Sequence, residues 1–323
     1  MKKHLLQMIV VLAVMALLFS ACKPAATPTA EVEAKKKVAM VFPGLVTDQS
    51  WNQFGYNGLT KARDECNVEI AYSEEVFQDE QLETFRQYAS AGYDIIIGHG
   101  GEYGESLFTV AKEFPDIEFV FQNGTKTDGI PNVTAVKLSY RQAGYLAGVM
   151  ACEMTKTNKI GQVVGEWIVI SEEAKEGFEK GAQTCGKTVE LKSVATLNWA
   201  DAAKAREAAL ALIADGVDVL YHTLDTADAG LLAAANDEGV FAIGLMTDQS
   251  KLGPNAVIGS TLISPEVMTY KSACGDYLDG GVHAIDAQSG GVDVALTALL
   301  SEAGKEHVLK VLEEMKAGGV IEP

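Results

Sequence analysis

No H-x-x-x-H or C-x-x-C spacing occurs in the 323 residues, although five histidines and five cysteines are present. No local metal-ligand motif can therefore be drawn. His99 and His222, with Asp225 or Asp248, are the best remaining metal set, and they lack any local spacing. No serine has the G-x-S-x-G setting of a nucleophile elbow, and no triad can be assembled by spacing. The glycine-rich stretch Gly98-His-Gly-Gly-Glu-Tyr-Gly104 lacks the order G-x-G-x-x-G and follows the third strand signal instead of the first, which removes a dinucleotide turn. The chain thus reads as a protein without catalytic equipment, metal or cofactor. Basic residues are also scarce: 26 Lys and Arg stand against 44 Asp and Glu, a net charge of −18. Nucleic acid and anionic lipid surfaces are excluded as partners on that balance.

Long apolar runs are equally few. The one at the start, Met8 to Phe19, is shorter than the roughly 20 residues that span a bilayer. Lys2 and Lys3 precede it and Ser20-Ala21-Cys22 closes it, the layout of a secretory signal. A cysteine directly after two small residues is similar to the bacterial lipobox, with Phe19 where leucine is usual. Residues 1–21 are expected to be a signal peptide, Cys22 the lipidated N-terminus, and residues 22–36 a tether rich in alanine, proline and charge. Ordinary cleavage or an uncleaved anchor is the competing reading.

From Lys37 onward, more residues remain than one hydrophobic core supports, so two lobes are expected. Strand signals at Lys37 to Phe42, Val68 to Tyr72, Asp94 to Gly98 and Ile117 to Phe121 alternate with helical patterns at Gln78 to Ala91 and Gly104 to Phe114. A second βαβ series follows, with strands at Lys159 to Val164, Glu190 to Leu197, Val217 to Tyr221 and Val240 to Ile243. The second series repeats the first: His222 follows His99, and Glu238 follows Pro115, by the same 123 residues. Duplication of a Rossmann-like lobe is the economical reading. Polar or glycine-containing connections at Asn123 to Gly129, Leu245 to Gly253 and Gly280 to Gly291 read as three hinge crossings. The expected lobes are residues 37–123 plus 247–285, and 124–246 plus 286–323. Of the four cysteines after Cys22, the pairs 66 with 274 and 152 with 185 each stay within a lobe; free buried thiols are the alternative.

Open α/β sheets bind ligands at the carboxyl ends of their strands. The first such end is Thr47-Asp48-Gln49-Ser50-Trp51-Asn52, where Asp48 or Ser50 can cap the helix that follows and Gly55 and Gly58 allow it to pack closely. Trp51 then serves as a flat platform with Asp48 and Asn52 orienting a planar ligand, or simply as the first apolar residue of an amphipathic helix. Further candidates at strand ends are His99, Gly100, Gly101, Glu102, Tyr103 and Asn123 from the first lobe, and Trp167, Trp199, Asp225, Met246 and Asp248 from the second or its crossing. All three tryptophans of the chain fall in these loops.

Asp48-Gln-Ser-Trp-Asn52, Ala111-Lys-Glu-Phe-Pro-Asp116, Ala147-Gly-Val-Met-Ala151, Lys159-Ile-Gly161, Lys204-Ala-Arg-Glu207 and Gly244 to Asp248 occur in order behind the lipobox. Together they resemble the basic membrane protein family of ABC-transporter substrate-binding lipoproteins, which includes bacterial purine nucleoside receptors. The resemblance covers Lys37 to the C-terminus. It implies a type I periplasmic-binding-protein fold, a monomer on the outer face of the cell membrane or in the periplasm, and delivery of a purine-like small molecule to an ABC permease. Carried over from the family, Trp51 and Trp199 stack on the base and Asn123 reads its edge. Two departures stand out: Met246 occupies the place of an acidic residue associated with ribose, and the lysine that several nucleoside receptors carry has no clear match in Ser260-Thr-Leu-Ile-Ser264. An exported ligand-presenting sensor and a nucleoside-processing enzyme are the alternatives.

Overall fold

A computed structural model describes residues 35–323. The expected signal peptide, the lipidation site Cys22 and nearly all of the tether lie outside the described residues. Within them are two six-stranded sheets. The first contains β1 (Lys37–Val41), β2 (Glu69–Ser73), β3 (Ile95–His99), β4 (Glu118–Gln122), β5 (Val133–Leu138) and β11 (Val282–Ile285). The second contains β6 (Lys159–Val164), β7 (Glu190–Ala195), β8 (Val219–Thr223), β9 (Phe241–Leu245), β10 (Val257–Ile263) and β12 (Val292–Leu296). Spatial orders are β11-β5-β4-β3-β1-β2 and β12-β10-β9-β8-β6-β7, so each strand of one sheet has a counterpart in the same place in the other. The symmetry breaks at the last strand: β11 runs parallel to β5, whereas β12 runs antiparallel to β10. Central strands such as β3 (IIIGH) and β8 (VLYHT) are buried along their whole length, as parallel strands covered on both faces must be.

Nine helices among the described residues cover the sheets: α1 (Trp51–Glu65), α2 (Gln81–Ser90), α3 (Gly104–Glu113), α4 (Tyr140–Met154), α5 (Val169–Ala182), α6 (Ala202–Ala214), α7 (Asp228–Glu238), α8 (Pro265–Cys274) and α9 (Glu302–Lys316). One apolar cluster runs through the inner faces of both sheets, from Val38 and Met40 by way of Leu138, Tyr140 and Ile263 to Val219 and Leu312. Separate clusters lie under α2 and α3 and under α6 and α7. Helices α4 and α5 touch backbone to backbone: a Cβ on Gly144 would meet the Ala174 carbonyl oxygen at 2.1 Å, and one on Gly177 the Arg141 oxygen at 2.0 Å. Gly58 likewise lets α1 approach α8, where a Cβ would come within 2.3 Å of the Glu266 oxygen.

Two of the three crossings differ from expectation. Asn123 to Gly129 joins β4 to β5 inside the first sheet, and Leu245 to Gly253 joins β9 to β10 inside the second. The chain crosses instead between β5 and α4 and between β10 and α8. The third crossing, from β11 to β12, falls at the expected glycines. The reason is a fifth parallel strand in each lobe: VTAVKL pairs with β4, and VIGSTLI with β9. The first lobe is therefore about residues 37–138 plus 264–285, and the second 139–263 plus 286–323. Both crossing helices begin on a serine cap, Ser139 toward Gln142 N and Ser264 toward Val267 N.

Disulfides join Cys66 to Cys274, with Cα atoms 5.6 Å apart, and Cys152 to Cys185, 5.9 Å apart. The first ties the end of α1 to the end of α8 in one lobe, and the second ties α4 to the segment after α5 in the other. Neither bridges the lobes. Peptide mapping without reduction should recover both linked pairs, and four alkylatable thiols would contradict them. Cys66→Ser opens a loop of 208 residues and should lower the unfolding free energy by about 2–5 kcal/mol, read by denaturant titration.

Candidate functional site

The site is built around the entry to α1. Asp48 is the helix cap: one carboxylate oxygen accepts from Ser50 N (2.9 Å) and Gln53 N (3.0 Å), the other from Asn52 N (3.1 Å) and Asn52 Nδ2 (2.7 Å). Its charge lies at the positive end of the helix and its oxygens are engaged. Asp48 thus positions the loop, with both carboxylate oxygens engaged by it. Ser50, released from capping, donates its hydroxyl across the cleft to Asp225 of the second lobe.

Trp51, the first residue of α1, stacks on His99, with ring centres 4.2 Å apart and planes 13° from parallel. The two residues are also tied by their backbones: Trp51 Nε1 donates to the His99 oxygen (3.3 Å), and His99 Nε2 lies 3.0 Å from the Trp51 oxygen. Gly55 leaves room for the imidazole, since a Cβ there would come within 2.5 Å of Nε2. Burial, the largest influence, lowers the His99 pKa to about 4, so the ring is neutral at pH 7. A carbonyl only accepts, so the proton sits on Nε2; Nδ1 faces the Gln122 side-chain oxygen at 2.5 Å, and two acceptors cannot pair, so the amide is turned over with its N–H donating to Nδ1. In that orientation the amide oxygen of Gln122 takes the other amide position, 3.2 Å from the Thr269 hydroxyl, and accepts from it. One face of Trp51 is therefore fixed against a buried hydrogen-bonded base.

In the second lobe, Trp199 lies on the end of β6: a Cβ on Gly165 would meet its ring at 2.3 Å. Its carbonyl accepts from Asp225 N (3.0 Å) and Ala227 N (3.2 Å). Trp51 follows Ser50 in the chain and the Trp199 carbonyl holds the Asp225 backbone, so the Ser50–Asp225 contact joins the tryptophan-bearing loops of the two lobes. Burial raises the Asp225 carboxyl above the ordinary range, and the Asp48 and Asp228 charges add to this, while the Ser50 hydrogen bond opposes it. Among the described residues no Lys or Arg pairs with Asp48, Asp225 or Asp228.

Two side-chain amides, on buried Asn52 and half-buried Asn123, are incompletely engaged. Asn52 bonds Asp48 through Nδ2 and leaves Oδ1 without a partner; Asn123, at φ 55°, likewise has an unpartnered Oδ1. Other candidates sit elsewhere. Tyr103 is fully buried, its hydroxyl donating to the Val76 oxygen at 3.1 Å, so it belongs to the core. Gly100 holds φ 153° and Glu102 folds back over it, while Gly101 opens the short turn into α3. Trp167 is 41% exposed on the rim with the Lys175 ammonium 5.4 Å from its ring centre. Asp248 is exposed and caps its own turn at Ser250 N (3.0 Å), which holds its carboxyl below the usual range. Met246, at φ 76°, packs against the central apolar cluster. Sequence reasoning missed Gln122 and Gln249, which hydrogen-bond His99 and His222 respectively. The strand-end histidines, which need partners once buried, were the signal that could have found them.

Two duplicated α/β lobes whose strand-end loops touch through Ser50 and Asp225 are the architecture of a solute-binding protein. The chain belongs to the family described as "ABC transporter substrate-binding protein PnrA-like", whose pattern matches residues 35–322. This is the basic membrane protein family that the motifs resemble. It is 30% identical over 292 residues to a Bacillus subtilis protein named "Transcriptional activator protein med", covering 88% of this chain and 90% of that one. It is 28% identical over 305 residues to "ABC transporter nucleoside-binding protein BmpA" of Lactococcus lactis, covering 86% of each. The fold matches a solved solute-binding protein from Aeropyrum pernix with a TM-score of 0.75 at 19% identity, over 89% of this chain and 94% of that one. The family comprises substrate-binding proteins and not enzymes; its members work outside the cytoplasm and pass a small molecule to a membrane permease.

The neutral state of His99 has a thermodynamic consequence. In the unfolded chain a histidine titrates near pH 6.5 and in the fold this one titrates near 4, so the unfolded state takes up the proton first as pH falls. Stability is full above about pH 6.5 and drops by roughly 3 kcal/mol toward pH 4 from this group. Denaturant titrations at pH 7 and pH 4.5 should show a smaller loss for His99→Gln than for the parent protein. Equal losses would contradict the assignment.

Proposed function

We propose that this chain is a lipid-anchored, monomeric receptor that captures a purine between Trp51 and Trp199 and delivers it to an ABC permease. The observation that carries this reading is the Ser50–Asp225 contact, which joins the loops that carry Trp51 and Trp199, with the Trp51 ring stacked on a neutral imidazole. Planar bases stack on such surfaces, and the orphan amide oxygens of Asn52 and Asn123 supply acceptors for a base edge. The uncompensated carboxylates disfavour a phosphorylated ligand, so the reading covers bases and nucleosides and not nucleotides. The nucleoside-binding name of the Lactococcus relative supports the same class.

Met246 supports a further restriction to the free base. A buried ribose hydroxyl without a partner costs about 1–3 kcal/mol, and a thioether is a poor acceptor. The pocket therefore favours adenine, guanine or hypoxanthine over the corresponding nucleosides. Similarity to a protein named as a transcriptional activator supports a second reading, in which the same closed, liganded form is presented to a membrane receptor.

Calorimetric titration of bases and nucleosides tests the ligand. Trp51→Ala and Trp199→Ala should each weaken base binding about 5- to 150-fold, the equivalent of about 1–3 kcal/mol of stacking. Unchanged affinity in both variants, or consistently tighter nucleosides, would overturn the reading. Lipid attachment is tested separately: Cys22→Ala should abolish lipid labelling and release the protein from membranes or leave it unprocessed.

A further inference from the structure

The disulfide of the second lobe lies in a cluster of metal-ligating groups that the cleft does not use. Cys152 is in the last turn of α4, and Cys185 is in the turn after α5, flanked by exposed Thr184 and Gly186. Glu153 follows Cys152, and its Oε1 lies 3.3 Å from Cys185 Sγ. A disulfide sulfur carries no proton, so this carboxylate oxygen faces an atom that has nothing to donate to it. The same Oε1 accepts from His307 Nδ1 of α9 at 2.7 Å. Among the described residues no Lys or Arg pairs with Glu153. The Lys187 ammonium donates to the Cys152 backbone oxygen, 2.9 Å away. Both sulfurs and a Glu153 carboxylate oxygen all fall within 4.8 Å of one another.

Two thiolates, one carboxylate and a water make an open zinc ligand set. Bonds of about 2.3 Å to sulfur and about 2.1 Å to oxygen, at the tetrahedral angle, place a sulfur about 3.6 Å from the oxygen and about 3.8 Å from the other sulfur. The contact between Glu153 and Cys185 already approaches that spacing, and sulfurs released from their bond need only move apart. Three anionic groups this close repel one another, and a dication removes the repulsion. An ion can reach them: the Glu153 side chain is 26% exposed and that of His307 30%. The cluster is also remote from the cleft, because α4 starts at the hinge and runs 15 residues to Met154, about 20 Å at 1.5 Å per residue.

We propose that Cys152, Glu153 and Cys185 form a Zn²⁺ site when the disulfide is reduced, with water as the fourth ligand and His307 as a positioning residue that orients the carboxylate. A dithiol supplies the two electrons and two protons that open the disulfide and is itself oxidised to a disulfide. Zn²⁺ then displaces those two protons, and each thiolate gives an electron pair to the metal. Reoxidation releases the ion, so the lobe carries either a covalent or a metal crosslink between the same two cysteines. None of this depends on the purine reading.

The test is made on protein reduced with dithiothreitol, freed of it by anaerobic gel filtration, and titrated with Zn²⁺ against a chromophoric chelator and with Co²⁺ as a spectroscopic probe. One Zn²⁺ should bind per chain with release of protons, Co²⁺ should give a thiolate-to-metal charge-transfer band, and the oxidised protein should do neither. Cys185→Ser should lose the band and the one-to-one binding, although Cys66 and Cys274 remain as thiols, and Glu153→Gln should bind Zn²⁺ more weakly. His307→Gln should bind about 10- to 100-fold more weakly with the band retained, as expected of a group that holds a ligand in place. Absence of one-to-one binding in the reduced parent, or equal binding by Cys185→Ser or by the oxidised protein, overturns the site. Unchanged affinity in His307→Gln overturns the positioning role. If circular dichroism shows that the reduced chain unfolds, anaerobic refolding with Zn²⁺ decides: the native spectrum should return for the parent and not for Cys185→Ser, and failure in both or recovery in both refutes the proposal.

Discussion

Trp51 can form one wall of a cleft because the imidazole behind it is uncharged, buried and held through both nitrogens. An indole on a short polar loop would otherwise be free to rotate. Here the stack, the Gly55 clearance and the Asp48 cap fix the ring with the helix. Everything else about the site follows from that fixed edge. Ser50 is directed at the second lobe because Asp48 has taken over the capping, and Asp225 meets it because its backbone is tied to Trp199.

The same chemistry has been used twice with different outcomes. Each lobe ends its third strand near a histidine, and each histidine meets a glutamine from a neighbouring segment. In the first lobe the pair supports an aromatic ring. In the second it leaves one nitrogen bare, with a carboxylate-anchored amide setting which nitrogen that is. The strand registers match His222 to Gly98 and His99 to Thr223, so the two histidines leave opposite faces of their sheets and meet different helices.

Parallel strands that are apolar throughout, separated by amphipathic helices, are visible without coordinates, and so the two-lobed architecture and its repeat were legible in residues such as Ile95 to Ile97 and Val219 to Tyr221. The hinge was less so. Asn123 to Gly129 has the polarity of a crossing, but whether a connection leaves a lobe depends on the pairing of the next strand, and VTAVKL pairs with β4 through contacts that no local pattern reveals. The site divides in the same way. Tryptophans at strand ends were readable, whereas Tyr103 as core, Asp48 as cap and Gln249 as the partner of His222 depend on which side of a strand or turn a side chain leaves.

The central claim is that the cleft receives a flat, uncharged purine base. The most direct measurement is mass spectrometry of the small molecule released on denaturing protein purified from its native host in the folded state. Recovery of a purine nucleobase in a one-to-one ratio is the predicted result. A sugar, an amino acid or a phosphorylated nucleotide in its place would contradict the account.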